Sequence, residues 1–254
     1  MKKLTIVTVC YQDLESLKKT LESLRQQTTR DFEHWIVDGA SKDGTPAYLA
    51  DLKVPWDLHW MSEPDRGLYE AMNKGLERAS GEFIWFLNAG DRCANTSSVE
   101  NILKALTSNP GADLIYGLVG FESDFGIRMV GKKVSRINFM SGMPICHQGI
   151  VYRTEVLRRH PYETKYRIIS DWLATRRFFE SEASCVFAPF EFATYNLEGV
   201  SSKNHRLAIK EQLRAEKSVL GKLSILAVKG TRYFGVYFTK KIGLYDFYKR
   251  WEHR

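Results

Sequence analysis

Apolar and polar positions change their period several times along the first ninety residues. Residues 4–10 alternate apolar side chains with Thr and predict a strand, after which Leu14, Leu17, Leu21 and Leu24 recur at helical spacing. Residues 33–37 predict a second strand, closed by a turn over 38–45 dense in small and acidic residues. Residues 46–52 read as helical and 58–61 as a short third strand. From Gly67 onward, Leu68, Ala71, Met72, Gly75, Leu76 and Ala79 form an apolar helical stripe that Gly81 ends. The run Phe83-Ile84-Trp85-Phe86-Leu87 follows at once and stops at Asn88-Ala89-Gly90-Asp91, which predicts a buried strand leaving through a polar turn.

Strands alternating with helices predict an α/β fold with a parallel, doubly wound sheet, because parallel neighbours need a crossover and helices supply it. Ligands in such sheets bind beyond the carboxyl ends of the strands. The polar clusters Cys10-Tyr11, 38–43 and 88–91 each follow a predicted strand, so all three are expected on one edge. Past Asp91 the pattern predicts a helix over 99–106, a strand over 113–119, a hairpin-like segment over 121–134 and a strand over 147–152. A helix over 170–179 and strands over 185–188 and 192–195 complete the reading.

Composition adds little to the first 202 residues and much to the rest. With 254 residues, 44% hydrophobic and 26% charged, the chain suits one large domain or a domain with an appendage. The net charge of +7 is uneven: 203–254 carries 13 Lys/Arg against 4 Asp/Glu, whereas 1–202 carries 24 against 26. A near-neutral body with a basic tail argues against a general polyanion binder and for a local contact with an anionic surface. The division expected is a catalytic domain over 1–202 and a basic, aromatic-rich helical extension over 203–254. The four cysteines, Cys10, Cys93, Cys146 and Cys185, have no paired metal-ligand spacing, so reduced thiols are expected. Met1-Lys2-Lys3 precedes an apolar run too short and too rich in Thr for a signal peptide, and no apolar stretch approaches the roughly 20 residues of a membrane span. A cytoplasmic location is expected.

The candidate chemistry lies at the strand ends. Neither GxxxxGK[ST] nor a GxGxxG after the first strand is present, so phosphate must be met another way. A strand-end carboxylate can bind a hard divalent cation through oxygen, and such a cation neutralises a diphosphate leaving group. Asp91 is the candidate metal ligand, with Asn88 placed for the nucleotide or its ribose; a capped turn explains the same residues. Asp38 can accept hydrogen bonds from a base or ribose, while Ser41 or Asp43 can equally serve as a helix cap.

Four ordered motifs carry a resemblance: Thr5-Ile6-Val7-Thr8-Val9, Val37-Asp38-Gly39-Ala40-Ser41-Lys42-Asp43-Gly44-Thr45, the stretch from Glu63-Pro64-Asp65-Arg66-Gly67 to Gly75, and Leu87-Asn88-Ala89-Gly90-Asp91. Over about residues 1–200 the chain resembles the family 2 inverting glycosyltransferases with the GT-A fold, most of all the bacterial members that build exopolysaccharide, capsule or O-antigen repeats. The resemblance implies a Rossmann-like mixed, mainly parallel sheet flanked by helices. It also implies a nucleotide-sugar donor carried by UDP, Mn2+ or Mg2+ as cofactor, and a saccharide acceptor, polyprenyl-diphosphate-linked in many relatives. It assigns Asp38 to the base of the donor, Tyr11 to the wall of that pocket, Asp65 and Arg66 to further nucleotide contacts, with a surface turn and helix start as the alternative for that pair, and Asp91 to the last acid of the Asp-x-Asp metal motif. Here Asn88-Ala89-Gly90 stands before that acid, so a second carboxylate ligand is missing from the pattern. Ser170-Asp171-Trp172 resembles the family's acid-acid-tryptophan region, with Asp171 at the base position and Ser170 in place of the usual preceding acid. A sugar hydroxyl needs such a base to attack the anomeric carbon; a first-turn helix acid is the alternative. His147 and Gln148 are placed for the acceptor pocket, a structural role being the alternative for a lone His, and His205, beyond the Gly199-Val200-Ser201-Ser202 loop, for diphosphate or metal on loop closure. With no Gln-x-x-Arg-Trp motif, one sugar per acceptor is expected.

The tail over 231–254 holds eight aromatics interleaved with Lys and Arg. Tyr and Trp favour the membrane interface, and each basic residue near an anionic leaflet contributes about 1 kcal/mol. Peripheral attachment to the inner face of the cell membrane is expected; the alternative is a helical pair packed on the catalytic domain or on a second subunit of a homo-oligomer. A nucleic-acid binder would use the same residues, but no recognised module appears and no nucleic-acid partner is expected. A metal-dependent nucleotidyltransferase is separated by its product, pyrophosphate rather than nucleoside diphosphate.

Overall fold

A computed structural model describes residues 2–123, 126–141, 143–196 and 204–228. Its strands are β1 (Leu4–Cys10), β2 (Glu33–Asp38), β3 (Asp57–Ser62), β4 (Phe83–Phe86), β5 (Arg92–Cys93), β6 (Leu114–Ser123), β7 (Gly126–Val130), β8 (Ile150–Arg153) and β9 (Cys185–Asn196). Its helices are α1 (Leu14–Arg25), α2 (Thr45–Asp51), α3 (Leu68–Arg78), α4 (Ser98–Ser108), α5 (Thr154–Arg159), α6 (Ser170–Glu180) and α7 (His205–Ala215). The strands form one nine-stranded sheet in the order β3-β2-β1-β4-β8-β6-β9-β5, with β7 paired to β6.

The half β3-β2-β1-β4 is parallel, as the strand–helix alternation predicts. Beyond β4 the sheet is mixed: β8 runs antiparallel to β4 and to β6, β9 parallel to β6, and β5 antiparallel to β9. The doubly wound reading therefore holds only for the first half. The pattern predicts two strands over 185–195, but β9 is continuous, and register shifts against Tyr116, Leu118 and Val119 take up its extra residues around Pro189. Pro lacks the N–H a ladder needs and is tolerated at a bulge. The expected strand over 147–152 is shorter: His147–Gly149 is a 3-10 turn and β8 begins at Ile150.

Two apolar layers enclose the sheet. On one face Leu17, Leu21 and Leu24 of α1, Leu49 of α2 and Val99, Ile102 and Leu106 of α4 pack against Leu4, Ile6, Phe83 and Trp85. On the other, Met72 and Leu76 of α3, Leu157 of α5 and Trp172 and Phe178 of α6 pack against Val7, Val9, Ile84 and Phe86. Each fully buried side chain of this size contributes about 1.5–3 kcal/mol. Gly75 lets α3 approach β1 closely, since a Cβ there would lie 2.4 Å from Val7 Cγ1. Ala208 and Ala215 of α7 join the second layer, so the segment after residue 203 begins as part of the core.

A further helical stretch covers 219–228, with Ile225 buried and Val219, Leu220, Leu223 and Leu226 at least half exposed. Among the described residues no helix is long and apolar enough to cross a membrane. The four cysteines are free thiols. The loop over 197–203 and the aromatic tail over 231–254 lie outside the described residues, as does the side chain of His205, which opens α7.

Candidate active site

Parallel register aligns the ends of three strands. Cys10 pairs with Asp38 and Asp38 with Ser62, so one row at the carboxyl edge carries the loops beginning at Tyr11, Gly39 and Glu63. Gly39 N–H donates to the Cys10 carbonyl (2.9 Å) and Glu63 N–H to that of Asp38 (3.0 Å), extending the ladder into the loops. The backbone then turns through the left-handed region at Gln12 (φ 51°) and Ala40 (φ 60°). Gln12 N–H donates to Ser41 Oγ (2.8 Å), which ties the two loops together.

Asp38 is fully buried in this row. Its Oδ2 accepts from Ser41 N–H (3.0 Å) and from the Ser62 hydroxyl (2.6 Å), while Oδ1 is buried without a partner. A buried acceptor left unpaired costs about 1–3 kcal/mol, and among the described residues none donates to this oxygen. Above it, a Cβ on Gly39 would meet Asp65 Oδ2 at 2.7 Å and Tyr11 Cδ2 at 3.0 Å. Tyr11, which is 65% exposed, and Asp65, whose Oδ1 accepts from Gly67 N–H (2.8 Å), thus stand over a glycine floor beside Asp38. Arg66 does not join them: it is exposed and folds onto Glu70 (Nε to Oε2, 2.6 Å), as a residue at a helix start would. Asp43 serves the loop itself, held below the usual carboxylate range by the Thr45 hydroxyl and by the Leu14 and Thr45 N–H groups.

The turn after β4 is organised from α1. Thr20, fully buried, accepts from Gly90 N–H (2.9 Å) and donates to the Asp91 carbonyl (2.7 Å). Gly90 takes φ 96°, and Asp91 N–H closes the turn on the Asn88 carbonyl (2.9 Å). The Asp91 carboxylate, 7% exposed, accepts from Asn88 N–H (3.2 Å) and Gln148 Nε2 (3.4 Å), and burial pushes it up to about 7. Asn88 Oδ1 is buried without a partner. Mg2+ is commonly held through one or two carboxylates plus substrate phosphates. Among the described residues no group of three or more His, Cys, Asp or Glu comes together. One carboxylate and one unpaired amide oxygen therefore suit a cation carried in by a diphosphate better than an ion held by protein alone.

His147 and Gln148 part ways. Gln148 reaches Asp91, and its carbonyl accepts from Trp85 Nε1 (2.7 Å). His147 is buried among Phe86, Tyr152 and Tyr162, with Nε2 2.9 Å from the Tyr162 hydroxyl, and burial holds its pKa below the ordinary value. It orders the turn from the core and does not line the open side, contrary to its expected place in an acceptor pocket.

Asp171 sits in the first turn of α6, half-buried. Its Oδ1 accepts from the Tyr69 hydroxyl (2.9 Å) and from Trp172 N–H (2.8 Å), and the same hydroxyl lies 2.8 Å from the Ile168 carbonyl. Burial raises the Cys146 thiol, and the charges of Asp91 and Asp171 both add to the rise.

Ser62 and Thr20 bond the candidate residues without having been singled out from the sequence, and Gly39 and Tyr69 stood in quoted motifs without an assigned role. Only the register of β2 and β3 carried a signal for Ser62, and only its i+4 place after Asp65 marked Tyr69.

Known proteins with this arrangement decide its family. The pattern of Glycosyl transferase family 2 matches residues 5–181. The chain belongs to that family. An uncharacterized glycosyltransferase of Mycobacterium tuberculosis is 31% identical over 172 residues, covering 66% of this chain and 65% of its own length. The PGL/p-HBAD biosynthesis glycosyltransferase of Mycobacterium bovis is 32% identical over 173 residues, 66% of each chain. The chain thus spans just under two thirds of these relatives. In three dimensions it is similar to S. aureus TarS 1-349 in complex with UDP-GlcNAc (TM-score 0.67, 19% identity, 92% of this chain and 73% of that one). It is also similar to the mannosyltransferase PcManGT from Pyrobaculum calidifontis in complex with GDP-Man and Mn2+ (TM-score 0.63, 19% identity, 89% and 68%). The family 2 glycosyltransferase of the GT-A fold described here has the mixed sheet of those structures.

Proposed function

We propose that this family 2 member transfers one sugar, with inversion, from a UDP-linked donor to a saccharide acceptor in cell-surface polysaccharide or glycolipid biosynthesis. The observation that carries the reading is the unpaired Oδ1 of fully buried Asp38 at the end of β2. An N–H on the base of a nucleotide satisfies it, with Tyr11 and Asp65 beside the base over Gly39. The diphosphate then extends toward the turn after β4, where Asp91 and the free Asn88 Oδ1 would hold Mn2+ or Mg2+. When bound, that cation neutralises the charge on the departing diphosphate.

Asp171 is the base in this reading. As the acceptor oxygen bonds to the anomeric carbon, its proton passes to Asp171, and the bond from that carbon to the diphosphate oxygen breaks with its electron pair leaving on UDP. The Tyr69 hydroxyl and Trp172 N–H, both donating to Oδ1, fix the direction of the carboxylate. Structural neighbours in complex with UDP-GlcNAc and with GDP-Man support the donor class. A polyprenyl-diphosphate-linked acceptor at a membrane fits the basic, aromatic tail over 231–254 and the exposed Val219, Leu220, Leu223 and Leu226 ahead of it.

The test is release of nucleoside diphosphate from a panel of nucleotide sugars with acceptor and Mn2+ or Mg2+. Asp171→Asn should lose at least about a hundredfold in kcat, in the range general-base removal gives, while still binding UDP. Full turnover by that variant, or release of pyrophosphate by the wild type, overturns the reading.

A further inference from the structure

The entry to the helix bearing Asp171 is held from a distant part of the chain. Ile169, the residue capping α6, makes no side-chain cap bond. The N–H groups just ahead of it are instead taken by Glu211 of α7: its Oε1 accepts from Arg167 N–H (2.8 Å) and its Oε2 from Ile168 N–H (3.0 Å). Glu211 is 8% exposed, so both bonds form away from water, where losing an acceptor costs most. Ile168, whose N–H it grips, has a second role, because the Ile168 carbonyl and Asp171 Oδ1 share the Tyr69 hydroxyl. A shift of the 167–168 backbone therefore moves the group that aims Asp171.

A second tie joins the same two parts. Glu216, just past α7, bonds Arg176 of α6 (2.5 Å), and Arg176 with Ser218 holds Glu216 down at about 2 against the upward push of burial. Glu180 takes the other side of the same guanidinium (2.6 Å).

We propose that Glu211 is a positioning residue for Asp171, acting through the Ile168 backbone and Tyr69, so that the segment over 204–216 belongs to the catalytic machinery and not to a separable extension. This rests on the reading of Asp171 as the base.

The experiment is steady-state kinetics on the full chain for Glu211→Gln, Glu211→Ala and Tyr69→Phe, singly and as Glu211/Tyr69 pairs, with UDP affinity and circular dichroism measured in parallel. Glu211→Ala should lower kcat about a hundredfold, the cost of a displacement near 1 Å, with donor KM and UDP affinity unchanged. Glu211→Gln, which keeps its volume and one acceptor oxygen, should fall between Ala and wild type. Each pair should lose less than the product of its single losses, because both changes act on one carboxylate. Wild-type kcat in folded Glu211→Gln overturns the proposal, as do losses that multiply with Tyr69→Phe or an equal loss of UDP affinity. If Glu211→Ala does not fold, the Gln variant and its pair decide alone. Full turnover by Asp171→Asn would instead remove the base reading and leave Glu211 as a tie within the fold.

Discussion

Asp91 should make the protein less stable as pH rises, and the size of the effect follows from its burial. Its carboxyl moves from an ordinary 3.8 to about 7 because desolvation outweighs the two hydrogen bonds from Gln148 and Asn88. At 1.36 kcal/mol per unit, ionising it in the native state costs about 4 kcal/mol. Below the unfolded value both states hold the proton and nothing is lost. Between the two values the native state binds more protons than the unfolded state, so stability falls with pH and the whole cost is present above the native value. Asp91→Asn keeps the shape, carries no charge at any pH and gives up one acceptor, at about 1 kcal/mol. The variant should therefore be slightly less stable than wild type near about pH 4 and more stable by about 2–3 kcal/mol near about pH 8. Urea unfolding in EDTA over that range measures the difference directly and cancels the other titrating groups. Adding UDP with Mn2+ at high pH should reverse the order, since ligand binding to the native state stabilises only the protein that keeps the carboxylate. A difference independent of pH, or a wild type that gains on the variant as pH rises, would refute the argument.

Two further outcomes test the ends of the molecule. Gly39→Ala puts a methyl group 2.7 Å from Asp65 Oδ2 and 3.0 Å from the Tyr11 ring, and its relief breaks the Asp65–Gly67 bond. Overpacking of this kind costs about 1–3 kcal/mol, so UDP affinity measured by calorimetry should fall about tenfold or more; unchanged affinity would move the base elsewhere. Removing residues 231–254 should release the protein from anionic phosphatidylserine vesicles in flotation assays, and undiminished flotation would favour packing of the tail on protein.

The strand ends were legible because the parallel half of the sheet is local: a strand, a helix and the next strand follow one another, and each period change marks a boundary. Asp38 and Asp91 were marked as candidates by their places after predicted strands, and Asp65 and Asp171 by the motifs that carry the family resemblance. What stayed hidden depends on long-range pairing. The antiparallel joins of β8 with β4 and β6 leave no period in the sequence, and Pro189 broke the pattern of a strand that a bulge keeps whole. Thr20 and Glu211 looked like ordinary helix residues because their partners lie 70 and 44 positions away. The boundary drawn at 202 rested on charge and on the reach of the resemblance; in the structure Ala208 and Ala215 of α7 pack, partly buried, against the second apolar layer and Glu211 is buried.

The motif from Glu63 to Gly75 now has a physical reason for its spacing. Asp65, just ahead of α3, stands over Gly39 beside the base pocket; four residues on, Tyr69 donates to Asp171; four more on, Asn73 exchanges two hydrogen bonds with the backbone of Tyr162 (2.8 and 3.0 Å). Tyr162 in turn meets His147, whose neighbour Gln148 donates to Asp91. Residues four apart lie on one helix face, so α3 and the residue ahead of it meet Gly39 through Asp65, Asp171 through Tyr69 and the Tyr162 backbone through Asn73. Gly75, two residues later, lets that helix press against β1. A rigid element in contact with all three parts fixes their separations, and a displacement transfer needs those separations held together more than it needs any one group.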